Sequence, residues 1–241
     1  MDRLHPNYEF ALRFAQGKTL DYGCGSGEVV EAGLARGIDI YGVETFYEGG
    51  HGVRERVAPL LGDRVREIKN AVIPFPADTF DTVINNQVFE HVQDLDAVLC
   101  EIRRVLKPDA RMLSMFPSRE VIREGHCGVA LAHRFCGRPI GYYWLLAFRL
   151  AGFGYHKSRK SPRKWASDFN HWLQSYCAYR PEKEIMESFR RAGFETRHIE
   201  SDYVQFRLGW AMPAWLFKRL GFMVLQSRPT SGRNGARYSA L

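Results

Sequence analysis

A glycine-rich stretch near the amino terminus constrains the fold more than any other part of the chain. Residues 19–27 read TLDYGCGSG, in which a short apolar run ends at Asp21 and three glycines follow at alternate positions. This pattern predicts a buried strand, a tight turn and a helix that begins near Glu28. Glycine lets a ligand lie against bare backbone, and the first amides of the helix face the same crevice. The stretch is therefore either a ligand-binding loop or a purely structural turn.

The glycine spacing differs from the fingerprint of dinucleotide-binding folds. That fingerprint is G-x-G-x-x-G, and Glu28 and Val30 stand where further glycines would have to be. The observed spacing, D-x-G-x-G-x-G, resembles the first motif of the class I S-adenosylmethionine-dependent methyltransferases. The resemblance implies that the loop holds the methionine part of S-adenosylmethionine.

A second stretch strengthens the resemblance. Residues 73–92 read IPFPADTFDTVINNQVFEHV, which looks like the fourth-strand region of the small-molecule members of that family. The match consists of a proline-rich approach, a Phe-Asp strand start and a segment that ends Glu-His-Val. The resemblance implies that backbone around Asn86 meets the amino group of the cofactor, with His91 near the point where the methyl group emerges.

The end of the second predicted strand carries an acid. Residues 38–43 alternate and are rich in β-branched side chains, and Glu44 follows them. An acid at this position can accept hydrogen bonds from both ribose hydroxyls, although a solvated loop carboxylate would give the same sequence. The resemblance assigns Glu44 to the adenosyl ribose. It implies a cofactor site made of Asp21, Gly23, Cys24, Gly25, Gly27, Glu44, Thr45, Asn70, Ala71, Asn86 and Gln87.

One position of this site departs from the family pattern. Relatives carry an acid where Asn70 stands, followed by a small or apolar residue such as Ala71. The amide oxygen of Asn70 can still accept from the adenine amino group. Because the contact lacks a charge, it should be weaker, and we expect a modest loss of cofactor affinity.

Strands and helices alternate along most of the chain, which predicts an α/β fold. We expect a Rossmann-like, doubly wound sheet of seven strands, mostly parallel with an antiparallel last strand. The predicted strands are 19–21, 38–43, 65–69, 81–84, 111–116, 194–199 and 222–227, with a turn over 107–110 before the fifth. The predicted helices are 7–16, 28–36, 52–61, 95–102, 140–153, 181–192 and 215–220.

Residues 117–180 interrupt this alternation. We interpret them as a cap of helices and loops, inserted after the fifth strand and lying over the cofactor crevice, where specificity is usually carried. The whole chain, 1–241, is expected to form one methyltransferase domain. The Ser-, Gly- and Arg-rich segment 228–241 is expected to be a disordered tail.

The charge of the chain leaves several partners open. A net charge of +7 suits nucleic acid, anionic lipid or a phosphorylated metabolite. Residues 157–164 hold five cations and form either a solvated loop or a phosphate clamp. The aromatic residues of the cap could stack on bases, form the core of the cap or line an apolar substrate pocket.

Cysteine use and hydropathy indicate location. The five cysteines have no C-x-x-C spacing, so neither a disulfide framework nor a zinc site is predicted, and no metal site is expected. The first ten residues lack an apolar signal core, and cations or proline interrupt the apolar stretches 140–155 and 204–226. We therefore expect a cytoplasmic protein without a membrane span; contact with a membrane face and the oligomeric state stay open.

These patterns lead to three hypotheses on function. The first is transfer of a methyl group from S-adenosylmethionine to a small-molecule acceptor, with O-methylation favoured. Histidine titrates near neutrality, so the candidate bases are His91, His126, His133 and His171, each of which could instead be a packing residue. The second hypothesis is an RNA methyltransferase that uses the basic cap. The third is a cofactor-binding regulatory protein without turnover.

Overall fold

A seven-stranded sheet forms the centre of the computed structural model, which describes residues 4–46, 52–157, 159–210 and 212–230. The strand order is β3-β2-β1-β4-β5-β7-β6, and β7 runs antiparallel to both of its neighbours. This arrangement confirms the predicted doubly wound sheet with an antiparallel last strand. The strands are β1 (Thr19–Tyr22), β2 (Ile40–Glu44), β3 (Val65–Glu67), β4 (Phe80–Asn86), β5 (Leu106–Phe116), β6 (Phe194–His198) and β7 (Met223–Pro229).

Helices cover both faces of the sheet and form the segment between β5 and β6. Within the described ranges they are α1 (Pro6–Phe14), α2 (Glu28–Leu34), α3 (Val53–Val57), α4 (Leu95–Val105), α5 (Ala132–Phe135), α6 (Pro139–Leu150), α7 (Pro162–Tyr176), α8 (Glu182–Arg191), α9 (Glu200–Leu208) and α10 (Ala214–Leu220). Short 3₁₀ turns lie at Ala58–Leu60 and Phe89–His91.

Alternating residues of the strands supply two separate cores. Val83 belongs to a buried cluster with side chains of α4 and α8, whereas its neighbour Ile84 belongs to a cluster with side chains of α1, α2, α9 and α10. Successive strand residues point to opposite faces, so the two clusters lie on the two sides of the sheet. Burial of both faces explains why the strands are almost continuously apolar.

The strand order brings the candidate site together. β1 lies between β2 and β4, and Asp21 is in register with Gly42 on one side and with Ile84 on the other. This is the point where the strand order reverses, and open α/β sheets bind ligands outside the carboxyl ends of the strands there. The loops after β1, β2 and β4 therefore meet at one edge.

Three elements differ from the sequence-based prediction. The turn expected at 107–110 is part of β5, whose pairing with β4 shifts register between Phe80 and Thr82; the irregular register accommodates Pro108 within the strand. β7 continues to Pro229, so the predicted tail does not begin at Arg228; residues 231–241 lie outside the described ranges. The sixth strand ends at His198, and α9 follows directly.

The predicted cap segment contains α5, α6 and α7 and has a core of its own. Trp165, Leu145 and Leu173 are fully buried and pack with neighbours from the same segment rather than with the two clusters of the sheet. The chain that follows α7 contacts the 3₁₀ turn after β4, where the amide of Ala178 donates to the carbonyl of Glu90 at 2.6 Å. The carboxyl end of the cap is therefore held against the segment that follows β4.

Candidate active site

The glycine loop leaves an open space beside β1. Gly23 and Gly25 both have positive φ, at 75° and 53°. A Cβ at Gly23 would lie 2.5 Å from the Val88 side chain, whereas a Cβ at Gly25 would have no atom of the described residues within 4 Å. Gly23 thus allows close packing of the loop on the segment after β4, and Gly25 borders free space.

Two acids face each other at the ends of β1 and β2. Glu44 Oε2 accepts from the Gly25 amide at 2.7 Å, and Oε1 accepts from the Thr45 amide at 2.8 Å. Burial raises the pKa of Glu44 even though these two amides oppose the shift. Burial, reinforced by the charge of Glu44, raises the pKa of Asp21 to about 7. The loop and the second strand are thereby tied together through a carboxylate that keeps free lone pairs.

Two connected cavities of about 500 and 510 Å³ lie at this edge of the sheet. Their shared wall consists of Gly23, Glu44, Thr45, Val88 and His91. Of the predicted cofactor residues, the first cavity adds Asp21, Cys24, Gly25, Asn86 and Gln87, and the second adds Asn70 and Ala71. The structure therefore brings together every predicted cofactor residue except Gly27.

Gly27 has a structural position instead. It precedes α2 in the left-handed region, with φ at 83°, and a Cβ there would lie 3.0 Å from Leu60. It lines neither cavity. A contact between Gly27 and the cofactor stays a prediction, and its position supports a role in starting the helix.

The sequence analysis did not identify the contribution of α1 to the site. His5, Asn7 and Tyr8 line the first cavity. Asn7 donates to Asn86 Oδ1 at 3.0 Å and accepts from the Tyr203 hydroxyl, which links α1 to β4 and α9. No local pattern in a short amphipathic helix signals such contacts, because they depend on how the helix docks.

Three residues around the cavities adopt left-handed backbone conformations without being glycine. They are Asn70, Ala71 and Gln87, with φ between 52° and 58°. The Gln87 amide donates to the Met115 carbonyl at 2.7 Å, which holds this conformation at the end of β4. Such conformations cost energy and concentrate at ligand-binding sites, which agrees with the position of all three residues in the cavity walls.

His91 and His126 meet beside the cavities although 35 positions separate them. Their ring centroids lie 5.0 Å apart, and Trp172 packs against both rings. His91 Nδ1 lies 2.8 Å from the Tyr176 carbonyl, and His126 Nδ1 lies 2.6 Å from Glu124 Oε1. The cap thus contributes a second histidine to the site.

The two histidines have opposite pKa shifts. Burial lowers the pKa of His91, against the opposing effect of the Tyr176 carbonyl. Burial also acts to lower the pKa of His126, but the hydrogen bond and charge of Glu124 outweigh it and the pKa is raised. Glu124 itself is buried, yet its contacts with His126, the Cys127 amide and the Tyr179 hydroxyl hold its pKa low.

Glu90 is a further residue that the sequence analysis did not identify. It is 1% exposed, and neither carboxylate oxygen has a hydrogen-bond partner among the described residues. Burial raises its pKa to about 8. In the sequence, Glu90 belongs to the Glu-His-Val segment that the resemblance singled out for its histidine, and only the packing shows that the acid is buried.

The other candidate residues lie elsewhere. His133 is buried against Tyr179 with a ring-centroid distance of 4.5 Å and lines neither cavity. This position supports packing within the cap, and a catalytic role stays a prediction. His171 is exposed on α7. Cys127 is buried, and burial raises its pKa, so it is not positioned as a nucleophile.

The basic segment 157–164 is partly neutralised. Lys160 and Lys164 both contact Asp168, at 2.8 and 3.1 Å. Pro162 begins α7, so this part of the segment is helical rather than a loop.

In the part of the chain that the structure describes, no helix is long and apolar enough to cross a membrane.

Comparison with known proteins defines the class. A family model described as "Methyltransferase domain" matches residues 2–199, and the chain belongs to this family. It is an S-adenosylmethionine-dependent methyltransferase, and S-adenosylmethionine is its cofactor. This confirms the class that the two sequence motifs predicted.

Individual relatives are more distant. A demethylmenaquinone methyltransferase of Symbiobacterium thermophilum is 27% identical over 86% of this chain and 79% of its own length. A ubiquinone biosynthesis O-methyltransferase of Sinorhizobium medicae is 30% identical over 39% of each chain. The crystal structure of an S-adenosylmethionine-dependent methyltransferase from Mesorhizobium loti superimposes with a TM-score of 0.57 at 17% sequence identity. The superposition covers 93% of this chain and 98% of that chain. The structural likeness supports the fold.

Proposed function

We propose that this protein transfers a methyl group from S-adenosylmethionine to a hydroxyl oxygen of a small-molecule acceptor. The observation that carries the proposal is the position of His91, which lines both cavities and meets His126 and Trp172 from the cap. Two relatives that match the chain are named for steps of quinone metabolism, and one of them is named as an O-methyltransferase. Both names support an acceptor of the quinone class, and the second name supports methylation at oxygen.

The residues around the two cavities fit the cofactor. The space beside Gly25 suits the methionine part, which needs bare backbone rather than side chains. Glu44 has lone pairs free for the ribose hydroxyls. The second cavity, with Ile68, Asn70 and Val98 in its wall, offers an apolar space for a base. We assign Asp21, Gly23, Cys24, Gly25, Glu44, Thr45, Asn70, Ala71, Asn86 and Gln87 to cofactor binding.

The chemistry asks little of the protein beyond alignment and proton removal. When bound, S-adenosylmethionine supplies a methyl group on positively charged sulfur. Transfer of that methyl group to a hydroxyl oxygen would also require the hydroxyl proton to leave. His91, in the wall of both cavities, is the candidate to receive that proton, and His126 and Trp172 pack against its ring. Alignment of the reacting atoms supplies most of the rate enhancement in such a site.

The experiment is methyl transfer from isotopically labelled S-adenosylmethionine to a panel of quinols, catechols and other phenols, with RNA as a separate arm. The carbon-13 shift of the product's methyl group distinguishes attachment to oxygen, nitrogen or carbon. We expect label in an aromatic hydroxyl compound, and His91→Asn and His126→Asn to lower kcat by about 100-fold or more. The exposed His171→Asn is the matched control, with unchanged kcat.

Other results would assign another function. Label that enters RNA alone would favour the RNA methyltransferase, although the pairing of Lys160 and Lys164 with Asp168 argues for a small acceptor. Tight cofactor binding without transfer to any acceptor, including fractionated cell extract, would favour a non-catalytic role. Label on nitrogen or carbon would retain the methyltransferase and remove the O-methylation proposal.

A further inference from the structure

The two histidines and a buried acid together have the composition of a metal-binding site. Glu90, His91 and His126 each offer a candidate ligand atom, and these atoms lie within 4.8 Å of one another. Glu90 and His91 come from the turn after β4, whereas His126 comes from the cap. The fold thus assembles the group from two separate segments, and His91 places it beside the cavities.

The histidine rings are oriented as metal ligands usually are. A carbonyl oxygen can only accept, so His91 Nδ1, 2.8 Å from the Tyr176 carbonyl, carries the proton. His126 Nδ1 likewise donates to Glu124 Oε1 at 2.6 Å. In both rings the lone pair is therefore left on Nε2. Metal-binding histidines are typically held in this way, by a carbonyl or carboxylate on the other ring nitrogen.

The carboxylate of Glu90 is buried without a hydrogen-bond partner among the residues that the structure describes. Its side chain is 1% exposed, and both oxygens are without a hydrogen-bond partner in the described ranges. A buried carboxylate without a partner is costly, and such groups are normally paired or coordinate a metal. A cation between Glu90 and the two imidazoles would satisfy both oxygens and the two Nε2 lone pairs at once.

We propose that Glu90, His91 and His126 bind a divalent transition-metal ion of the zinc or iron(II) class. Two imidazoles and one carboxylate are a donor set of catalytic zinc and non-haem iron(II) sites. Mg²⁺ and Ca²⁺ prefer sites made of oxygen. Three protein ligands leave at least one coordination position open, and the place of His91 in the wall of both cavities directs it towards the acceptor.

The role of the ion rests on the proposed function, whereas the binding itself does not. An acceptor hydroxyl in the open position is more acidic, because a bound divalent ion stabilises the oxyanion. Its proton passes to water, and the metal does not change oxidation state. The histidines then act through the ion, and neither has to serve as a free base.

Direct metal binding tests the site. The purified full-length protein is stripped with a chelator, checked by elemental analysis and titrated with Zn²⁺ in competition with a chromophoric chelator. We expect one zinc ion per chain, no competition by Mg²⁺, and a Co²⁺ spectrum without a thiolate charge-transfer band. Glu90→Gln and His126→Gln should abolish stoichiometric binding, and Glu124→Gln should weaken it by about 10- to 100-fold.

Two controls separate loss of the site from other causes. His171→Gln removes an exposed histidine of α7, and Cys177→Ser removes a thiol whose sulfur lies 3.8 Å from His91 Nδ1. Both variants should bind zinc as the wild type does. Thermal unfolding and cofactor affinity check that each variant is folded. If Glu90→Gln does not fold, the zinc stoichiometry of the wild type and the zinc affinity of Glu124→Gln still test the metal site.

The outcomes distinguish this inference from the proposed function. A wild-type protein that binds no zinc, or variants at Glu90 and His126 that bind it normally, would overturn the metal site even if methyl transfer proceeds. Stoichiometric zinc that depends on these three residues supports the site even if no phenolic acceptor is methylated. Full transfer activity in metal-free protein would refute the role of the ion in deprotonation.

Discussion

At the scale of single residues, Glu44 connects the glycine loop to the second strand. Its two oxygens hold the amides of Gly25 and Thr45 and still have lone pairs for a ligand. We expect Glu44→Ala to weaken the binding of S-adenosylmethionine by about 1–3 kcal/mol, the cost of lost charged hydrogen bonds. Calorimetry measures this, with the exposed Glu31→Ala as control. Unchanged affinity would contradict our assignment of the ribose site.

Asp21 makes the stability of the ligand-free protein dependent on pH. Its pKa is about 7 in the folded protein because of burial and the charge of Glu44, and about 4 in an unfolded chain. Between these values the unfolded chain loses a proton that the folded protein keeps. The contribution of Asp21 to stability therefore falls as the pH rises from about 4 to 7 and stays low above that range.

Replacement of Asp21 tests this dependence. We expect Asp21→Asn to gain stability relative to the wild type across that window, on the order of 1 kcal/mol per pH unit, with no gain below about pH 4. Urea unfolding at several pH values gives the difference. Asp63→Asn, at a site 88% exposed, should show no such trend. A difference that does not change with pH would refute the raised pKa.

At the scale of elements, Gly25 of the glycine loop can be compared with Gly37, the glycine that follows α2. Gly25 and Gly37 both have positive φ and no atom of the described chain within 4 Å of a built Cβ, but Gly37 lines neither cavity. Alanine at either position should cost about 1 kcal/mol of stability. Only Gly25→Ala should reduce cofactor affinity, by about tenfold or more, because its methyl group enters the binding space. Equal affinities would place the cofactor elsewhere.

The side-chain amide of Asn7 links α1 to two other elements of the fold. Asn7 bridges Asn86 and Tyr203, which belong to β4 and α9. We expect Asn7→Ala to lower the free energy of unfolding by about 1–3 kcal/mol, since it removes one hydrogen bond to the buried Tyr203 and one to the half-buried Asn86. Tyr203→Phe removes one of these bonds and should cost less. A change within error for Asn7→Ala would show that α1 is held by its apolar contacts alone.

At the scale of the whole molecule, the cap and the sheet have separate cores. Trp165 is fully buried within the cap, where Nε1 donates to the Tyr155 carbonyl at 2.8 Å. We expect Trp165→Ala to cost about 3–5 kcal/mol locally and to accelerate hydrogen exchange in α5, α6 and α7 but not in the sheet. Trp215→Ala, at a site 62% exposed, is the control. Exchange that accelerates equally everywhere would mean that cap and sheet unfold as one unit.

Prediction succeeded where local sequence decides the structure. The glycines after Asp21 predicted the turn between β1 and α2, and the alternation of strand and helix patterns predicted the sheet. Each of these signals lies in residues that are neighbours in the chain. Prediction placed the start of the fifth strand too late, because β5 already pairs with β4 at Leu106 and residues 107–110 bulge out before pairing resumes at Arg111. It also missed α9, whose residues carry a weak local signal and are held by packing on the sheet.

The sequence by itself determined the class of fold and the edge of the sheet where the predicted cofactor residues gather, because strand ends and glycine turns are set by short-range geometry. Its resemblance to a known family indicated the cofactor. The tertiary structure decided which distant side chains meet beside the cavities. His126 reaches His91 because the cap packs against the turn after β4, and Glu90 is buried in that same turn. Such groupings join residues far apart in the chain, and their chemistry arises from packing that no local pattern encodes.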